Sequence, residues 1–290
     1  MTTPTSPKSA PHRQRGYGWF LFPGFTVLVL FFGTMFVWNV GISFLKWPGY
    51  GPSKWVGFDN YTHVFDKPEF WESWLHALFY VIPFALLPTV VGLALASVVY
   101  EMFRGYISQA LVPFARAGFF LPQIVPIRVA GLIWLWMLDS MSLTWLDDPI
   151  PALLVLSVFM FWLQMGFAFV VYLAGFSRLD PALLEAADLD GANWWQRLRY
   201  ISGPSVWPET SVILVFLGVG ALKVFAPVYY LTGGGPYDST ISPATYAVTS
   251  FFGGRQVGFA SAVSTVLALV ILIAVVTTLA VSARVRRGKQ

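Results

Sequence analysis

The sequence predicts an all-α integral membrane protein with six transmembrane helices and a polar, helical loop between the fourth and the fifth. Three observations lead there. Of 290 residues, 57% are hydrophobic and 11% charged, whereas soluble domains carry about 25% charged residues. Such a chain has too few polar side chains to cover a globular surface and takes lipid as its solvent. Second, six apolar runs are each long enough, at about 1.5 Å per residue, to cross about 30 Å of hydrocarbon. Third, the basic residues are asymmetric. With both termini inside the cell, Lys8, Arg13, Arg15, Arg104, Arg116, Arg178, Arg197, Arg199, Arg284, Arg286, Arg287 and Lys289 fall on the cytoplasmic side, and only Lys46, Lys54, Lys67 and Arg255 outside. That bias predicts a multi-pass membrane protein with both termini and the polar loop in the cytoplasm. Basic residues spread over loops in this way also argue against nucleic acid as a partner, despite a net charge of +4.

Residues 1–16, rich in Pro, Ser and Thr, are expected to form a disordered cytoplasmic tail. The apolar run 19–44 is too long for a signal-peptide core and reads as span one, so 17–74 holds the first transmembrane helix and an outer segment. Pro48, Gly49, Gly51 and Pro52 exclude a regular helix where that segment begins. Span two is expected over 75–100, with Pro83 and Pro88 inside it, and span three over 117–138, with Pro122 and Pro126 inside it. Prolines are tolerated in membrane helices when neighbours satisfy the freed carbonyls. An acidic turn over 139–149 follows. Spans four, five and six are expected over 152–176, 206–231 and 259–282. A basic tail, 284–290, closes the chain.

The loop 179–208 is the one long polar stretch between two strongly apolar spans. Asp180 can cap a helix whose first position is Pro181. Gly191 supplies a left-handed stop. Asn193 can cap a second short helix from Trp194 to about Ile201, which Gly203-Pro204 is expected to end. Glu185-Ala186-Ala187 sets an acid beside two small residues, so another surface can approach the backbone closely.

Glu185-Ala186-Ala187, Asp190-Gly191-Ala192, Ile201 and Pro204 resemble the EAA loop of ABC importer permeases. Gly203 departs from that pattern, which has a bulky apolar residue before the proline. Other stretches agree: Gly57-Phe58-Asp59-Asn60-Tyr61, Phe120-Leu121-Pro122 with Leu132-Ile133-Trp134, Leu231-Thr232-Gly233-Gly234-Gly235-Pro236 and Gly258-Phe259-Ala260-Ser261-Ala262 are similar to segments of the sugar-type permeases, the maltose and glycerol-3-phosphate permease-like family. The likeness runs from about 57 to 283, and 75–283 is expected to be the permease core. It implies a non-catalytic membrane subunit that moves a carbohydrate-type solute by alternating access. It also implies partners: a second homologous permease, two ATP-binding subunits and an extracytoplasmic solute-binding protein. No cofactor is expected in this chain, ATP and Mg being held by the partner ATPase, and the loop would be the coupling helix that docks on it.

Two basic residues, Arg128 and Lys223, fall inside expected spans. A charge there costs at least about 2.5–3.5 kcal/mol on insertion scales, so each should face protein or a wet cavity. Lys223 is also near enough to the outer interface to snorkel part of the way. With Gln164, Trp134 and Tyr229 these residues are candidates for a solute path, and Gln123 is a further one; most aromatics of so aromatic a chain serve lipid and packing. His12, His63 and His76 have no metal-ligand spacing, and no Gly-x-Ser-x-Gly or His-Glu helix pair suggests catalysis. The alternative, a self-sufficient secondary transporter, asks for acidic or paired ionisable residues deep in spans and for a repeat, neither of which is evident.

Overall fold

Among the described residues four helical stretches are long and apolar enough to cross a membrane: Phe22–Ser43, Pro68–Glu101, Pro149–Phe176 and Val257–Thr278. Two bent pairs pass the same test when each is taken as one span, giving up to six by length and composition. The computed structural model describes residues 17–105 and 111–287. The expected disordered tail, 1–16, and the last three residues of the basic tail lie outside them.

The first span is α1 (Tyr17–Leu28), a π-helical turn Val29–Gly33 and α2 (Thr34–Ser43). A two-residue hairpin follows, β1 (Leu45–Lys46) against β2 (Lys54–Trp55), the small exception to the all-α expectation. After α3 (Asp59–Phe65), α4 (Pro68–Val81) starts with Pro68 in its first turn, where the missing N–H costs nothing. The second span therefore begins before residue 75, inside the expected outer segment. A π-helical turn, Ile82–Leu86, takes up Pro83, and α5 (Leu87–Gly105) continues the span.

The third span is not the single helix expected. It consists of α6 (Leu111–Ile124) and α7 (Ile127–Ser140), bent by 92° between Phe114–Ile124 and Ile127–Ser140. Pro126 has no N–H to offer the Pro122 carbonyl, and the helix breaks where that bond is lost. Next comes α8 (Pro149–Phe176), whose 28 residues make it about 42 Å long. It forms the middle of the bundle. Leu156, Phe159, Met160, Phe169, Tyr172 and Phe176 are all fully buried along it, with α5 and α6 packed on its length and α12 and α13 on other faces. At Gly166 an added Cβ would stand 2.0 Å from the Phe119 carbonyl oxygen. This is the close backbone approach by which membrane helices gain packing.

The cytoplasm-type loop carries α9 (Pro181–Leu189) and α10 (Trp194–Arg197). The second helix does not end at Gly203-Pro204 as expected. It runs on through a π-helical turn, Leu198–Ser202, into α11 (Gly203–Ser205). There Pro204 needs no N–H, and a side chain on Gly203 would press to 2.7 Å from the Leu198 carbonyl oxygen. The stop falls at Val206, where the chain bends 74° into α12 (Trp207–Leu222).

The expected fifth span, 206–231, is also interrupted. After α12 the backbone leaves the helix over Lys223, Val224 and Phe225 and resumes in α13 (Ala226–Leu231). Pro227 cannot bond the Lys223 carbonyl. The Val224 carbonyl instead accepts the Ser242 hydroxyl at 2.5 Å, so the break has a side-chain substitute for a lost helical bond. The glycine-rich run ends α13 as a turn with Gly233 and Gly234 in the left-handed region. Tyr80 Oη fastens that turn to α4 by donating to the Thr240 carbonyl at 2.6 Å. Beyond it, α14 (Pro243–Phe252) packs on α15 (Val257–Arg287), the last span, which carries the helix four residues into the expected basic tail.

Candidate functional site

Two places concentrate the residues singled out from the sequence. The first is the loop of α9 and α10. Asp180 Oδ1 accepts the Ala182 N–H at 3.0 Å, so the expected cap is made. At the other end Gly191 has φ +71°, its N–H reaches the Asp188 carbonyl at 3.1 Å, and the Ala192 N–H reaches the Ala187 carbonyl at 2.9 Å. That is a Schellman stop, with Gly191 in the left-handed position. Asn193 then opens α10 with a full capping box, its side chain accepting the Gln196 N–H while Gln196 Oε1 accepts the Asn193 N–H.

Helix α9 buries Leu184 and Ala187 and turns Glu185, Ala186 and Asp190 outward. Leu189 is 91% exposed and Leu183 52%. Leucines this open, on a polar loop outside the apolar spans, are the kind of surface a partner covers. Ile201 is half-buried in the π-helical turn, Pro204 is exposed on α11, and Ala192 is half-buried beside the stop.

The loop is anchored by residues that the sequence alone did not single out. Arg197 donates to Glu101 Oε2 at 2.5 Å, to Asp188 Oδ1 at 2.8 Å and to the Ala192 carbonyl at 2.7 Å. One guanidinium thus ties α9, the Gly191 turn and the C-terminal part of α5 together, its fork meeting the Glu101 carboxylate with two nitrogens. Donating hydrogen bonds to the Glu101 carboxylate pushes the pKa of Arg197 up from the ordinary arginine value. Trp194 Nε1 adds a bond to Ser97 Oγ at 3.1 Å. Arg178, just after α8, pairs with Glu209 in the first turn of α12. The signal for these pairs was a charge at the edge of each apolar run, but not which edges meet.

The second place is a cavity of about 580 Å³ where the irregular parts of three spans converge on α8. Phe84, from the turn at Pro83, contributes to it. Gln123 and Ile127 come from either side of the Pro126 break, Gln164 from the middle of α8, and Lys223 and Phe225 from the break after α12. Gln164 Oε1 is buried and accepts no hydrogen bond. Of the five path candidates the cavity gathers Gln164 and Lys223. Arg128, on α7, instead lies 5.5 Å over the Tyr230 ring, a cation–π contact. Trp134 packs edge-on to Phe159 at 5.4 Å within the core, and Tyr229 stacks on Phe225 at 5.0 Å just outside the cavity lining. Among the described residues no group of three or more His, Cys, Asp or Glu could hold a metal ion.

Comparison with known proteins places this architecture. The family model for "Binding-protein-dependent transport system inner membrane component" matches residues 89–287. The sulfoquinovosyl glycerol transport system permease protein SmoG of Agrobacterium fabrum is 31% identical over 238 residues, covering 74% of this chain and 73% of that protein. The trehalose/maltose transport system permease protein MalF of Thermococcus litoralis is 28% identical, covering 87% of this chain and 89% of its own length. A chain in the crystal structure of a bacterial alginate ABC transporter, in complex with an alginate pentasaccharide-bound periplasmic protein, has the same fold. Its TM-score is 0.71 at 23% identity, with 93% of this chain and 94% of that chain covered. That family model covers more than half of the sequence, and the chain belongs to the family of binding-protein-dependent transport system inner membrane components, the permease subunits of ABC importers.

Proposed function

We propose that this permease carries a carbohydrate-type solute through the cavity between its broken helices, and that the loop 179–208 receives the mechanical input. In this reading the chain crosses the membrane six times, α6 with α7 making the third span and α12 with α13 the fifth. Both termini and the loop face the cytoplasm, a placement supported by the positions of the basic residues. A second, homologous permease completes the pathway, two ATP-binding subunits hold and hydrolyse Mg-ATP, and an extracytoplasmic protein delivers the solute. Carbohydrate as the solute class is supported by the substrates for which the relatives are named and by a cavity with amide and aromatic groups on its walls.

The observation that carries the reading is the exposed face of α9, with Glu185, Ala186 and Leu189 outward, on a helix held to α5 by Arg197. A docked ATPase covering that face would move a rigid lever and, through Glu101, the inner end of the second span. Glu185, Ala186, Ala187, Asp190, Gly191, Ala192, Ile201 and Pro204 are the proposed coupling residues, outward ones touching the partner and inward ones shaping the turn.

The test uses the complete reconstituted transporter with Gly191→Pro or Glu185→Arg in this chain. Proline cannot adopt φ +71°, so the first change destroys the Schellman turn, and the second reverses a charge on the docking face. Both variants should insert and assemble while solute-stimulated ATPase activity and uptake fall about tenfold or more, which corresponds to about 1.4 kcal/mol of lost coupling. Uptake at the parental rate in both variants rejects the docking role.

A further inference from the structure

We propose that the cavity selects solutes bearing an anionic group, with Lys223 as the counter-charge and Gln164 as an acceptor for a neighbouring solute hydroxyl. The proposal rests on the reading of this cavity as the solute path and narrows the class of solute within it. Among the described residues Lys223 is the only charged side chain on the cavity wall, and no carboxylate lines it. Among the described residues its ammonium group has no ion pair and no hydrogen bond.

No hydrogen bond made at the break among the described residues uses the Lys223 side chain. The Val224 carbonyl freed there is already satisfied by the Ser242 hydroxyl at 2.5 Å. The Lys223 backbone N–H bonds the Ala221 carbonyl. Lys223 also stands at the C-terminal end of α12, where the unsatisfied carbonyls favour a cation. A positive group maintained at that point, without a protein partner in this chain, is arranged to meet a negative group that comes and goes.

Gln164 supplies the second, independent observation. Its Oε1 is buried without a partner, a costly condition for a carbonyl-type oxygen and one that a donor on the solute removes. An ammonium and an unpaired amide oxygen on one wall, with Phe84 and Phe225 as apolar faces, fit a hydroxylated ring that also carries a carboxylate, sulfonate or phosphate. The volume, about 580 Å³, lies within the range of about 300–1,000 Å³ of small-molecule sites.

The chain contains no cysteine, so a single introduced thiol reports on the cavity directly. Gln164→Cys is made in the complete transporter, with cysteine-free partner subunits, in nanodiscs. It is then reacted with two probes of similar size, the anionic sulfonatoethyl and the cationic trimethylammonium-ethyl methanethiosulfonates. With each rate taken relative to that of the same probe with a free thiol in solution, the anionic probe should be favoured, and adding Lys223→Gln should lower the anionic-to-cationic rate ratio by about tenfold or more. Gln123→Cys, on the same wall, gives the same readout where Gln164→Cys does not assemble. A ratio unchanged by Lys223→Gln overturns the proposal. So does a preference for the cationic probe with Lys223 present, the result expected where an acid of the neighbouring subunit neutralises the lysine. Either result leaves the cavity standing as the path. Failure of both probes at both cysteines, with a Met141→Cys control at an exposed position away from the loop and the cavity still reactive, overturns the path reading as well.

Discussion

Arg197 sits in the loop as one basic residue among several, and only the folded chain reveals what it does. Its partner Glu101 is 96 residues away, and the two side chains are 19% and 16% exposed. Charge-assisted hydrogen bonds of this kind contribute about 1.5–3 kcal/mol, and removing one partner leaves the other poorly solvated. Arg197→Met should therefore loosen α9 from α5. Reconstituted complexes carrying it should retain ATP binding but lose at least about half of the coupling between hydrolysis and uptake. Arg197→Lys should recover less than a conservative charge count suggests, because an ammonium cannot reproduce the two-pronged contact with Glu101. The measurement is the number of ATP hydrolysed per solute transported. A ratio unchanged in Arg197→Met contradicts a positioning role for the clamp.

At the scale of elements, the departures from regular helix explain more than the helices themselves. The turn at Pro83, the break at Pro126 and the break at Lys223 all border the cavity, whereas α8, the one unbroken helix among them, gives it a floor through Gln164. Gly166 lies two positions further along α8, against the Phe119 carbonyl of α6. Gly166→Leu overfills that crossing. Overpacking costs about 1–3 kcal/mol, so the purified complex should melt several degrees lower, read by fluorescence-detected thermal unfolding in detergent. An unchanged melting temperature would mean that α6 does not rest on α8 as described.

The existence of each apolar run was legible from composition, and so were the caps at Asp180 and Asn193 and the left-handed stop at Gly191, since these depend on residues a few positions apart. The breaks were less so. Pro126 and Pro227 stand in the sequence in plain view, but a proline inside an apolar run is compatible with a smooth, kinked or broken span. The outcome depends on what satisfies the freed carbonyls, as Ser242 does for Val224. Pairings across the fold, Arg197 with Glu101 and Trp194 with Ser97, were not legible, because local pattern carries no information on which inner edges meet. The cavity was half legible: Gln164 and Lys223 belong to it, while Arg128, Trp134 and Tyr229 have other contacts.

For the whole molecule, broken helices and a clamped loop form one device: a central helix against which irregular spans can shift, and a lever at one end. Its sense depends on which side of the membrane the lever faces. Asp190 is exposed at the tip of α9, and with no native cysteine in the chain, Asp190→Cys places one thiol there. Labelling of this variant with a membrane-impermeant maleimide, in intact cells and in inverted membrane vesicles, tests the arrangement directly. The thiol should react in the vesicles and stay unlabelled in intact cells until the membrane is permeabilised. Full labelling in intact cells would put the loop outside, beyond the reach of any cytoplasmic ATPase, and would contradict the coupling role.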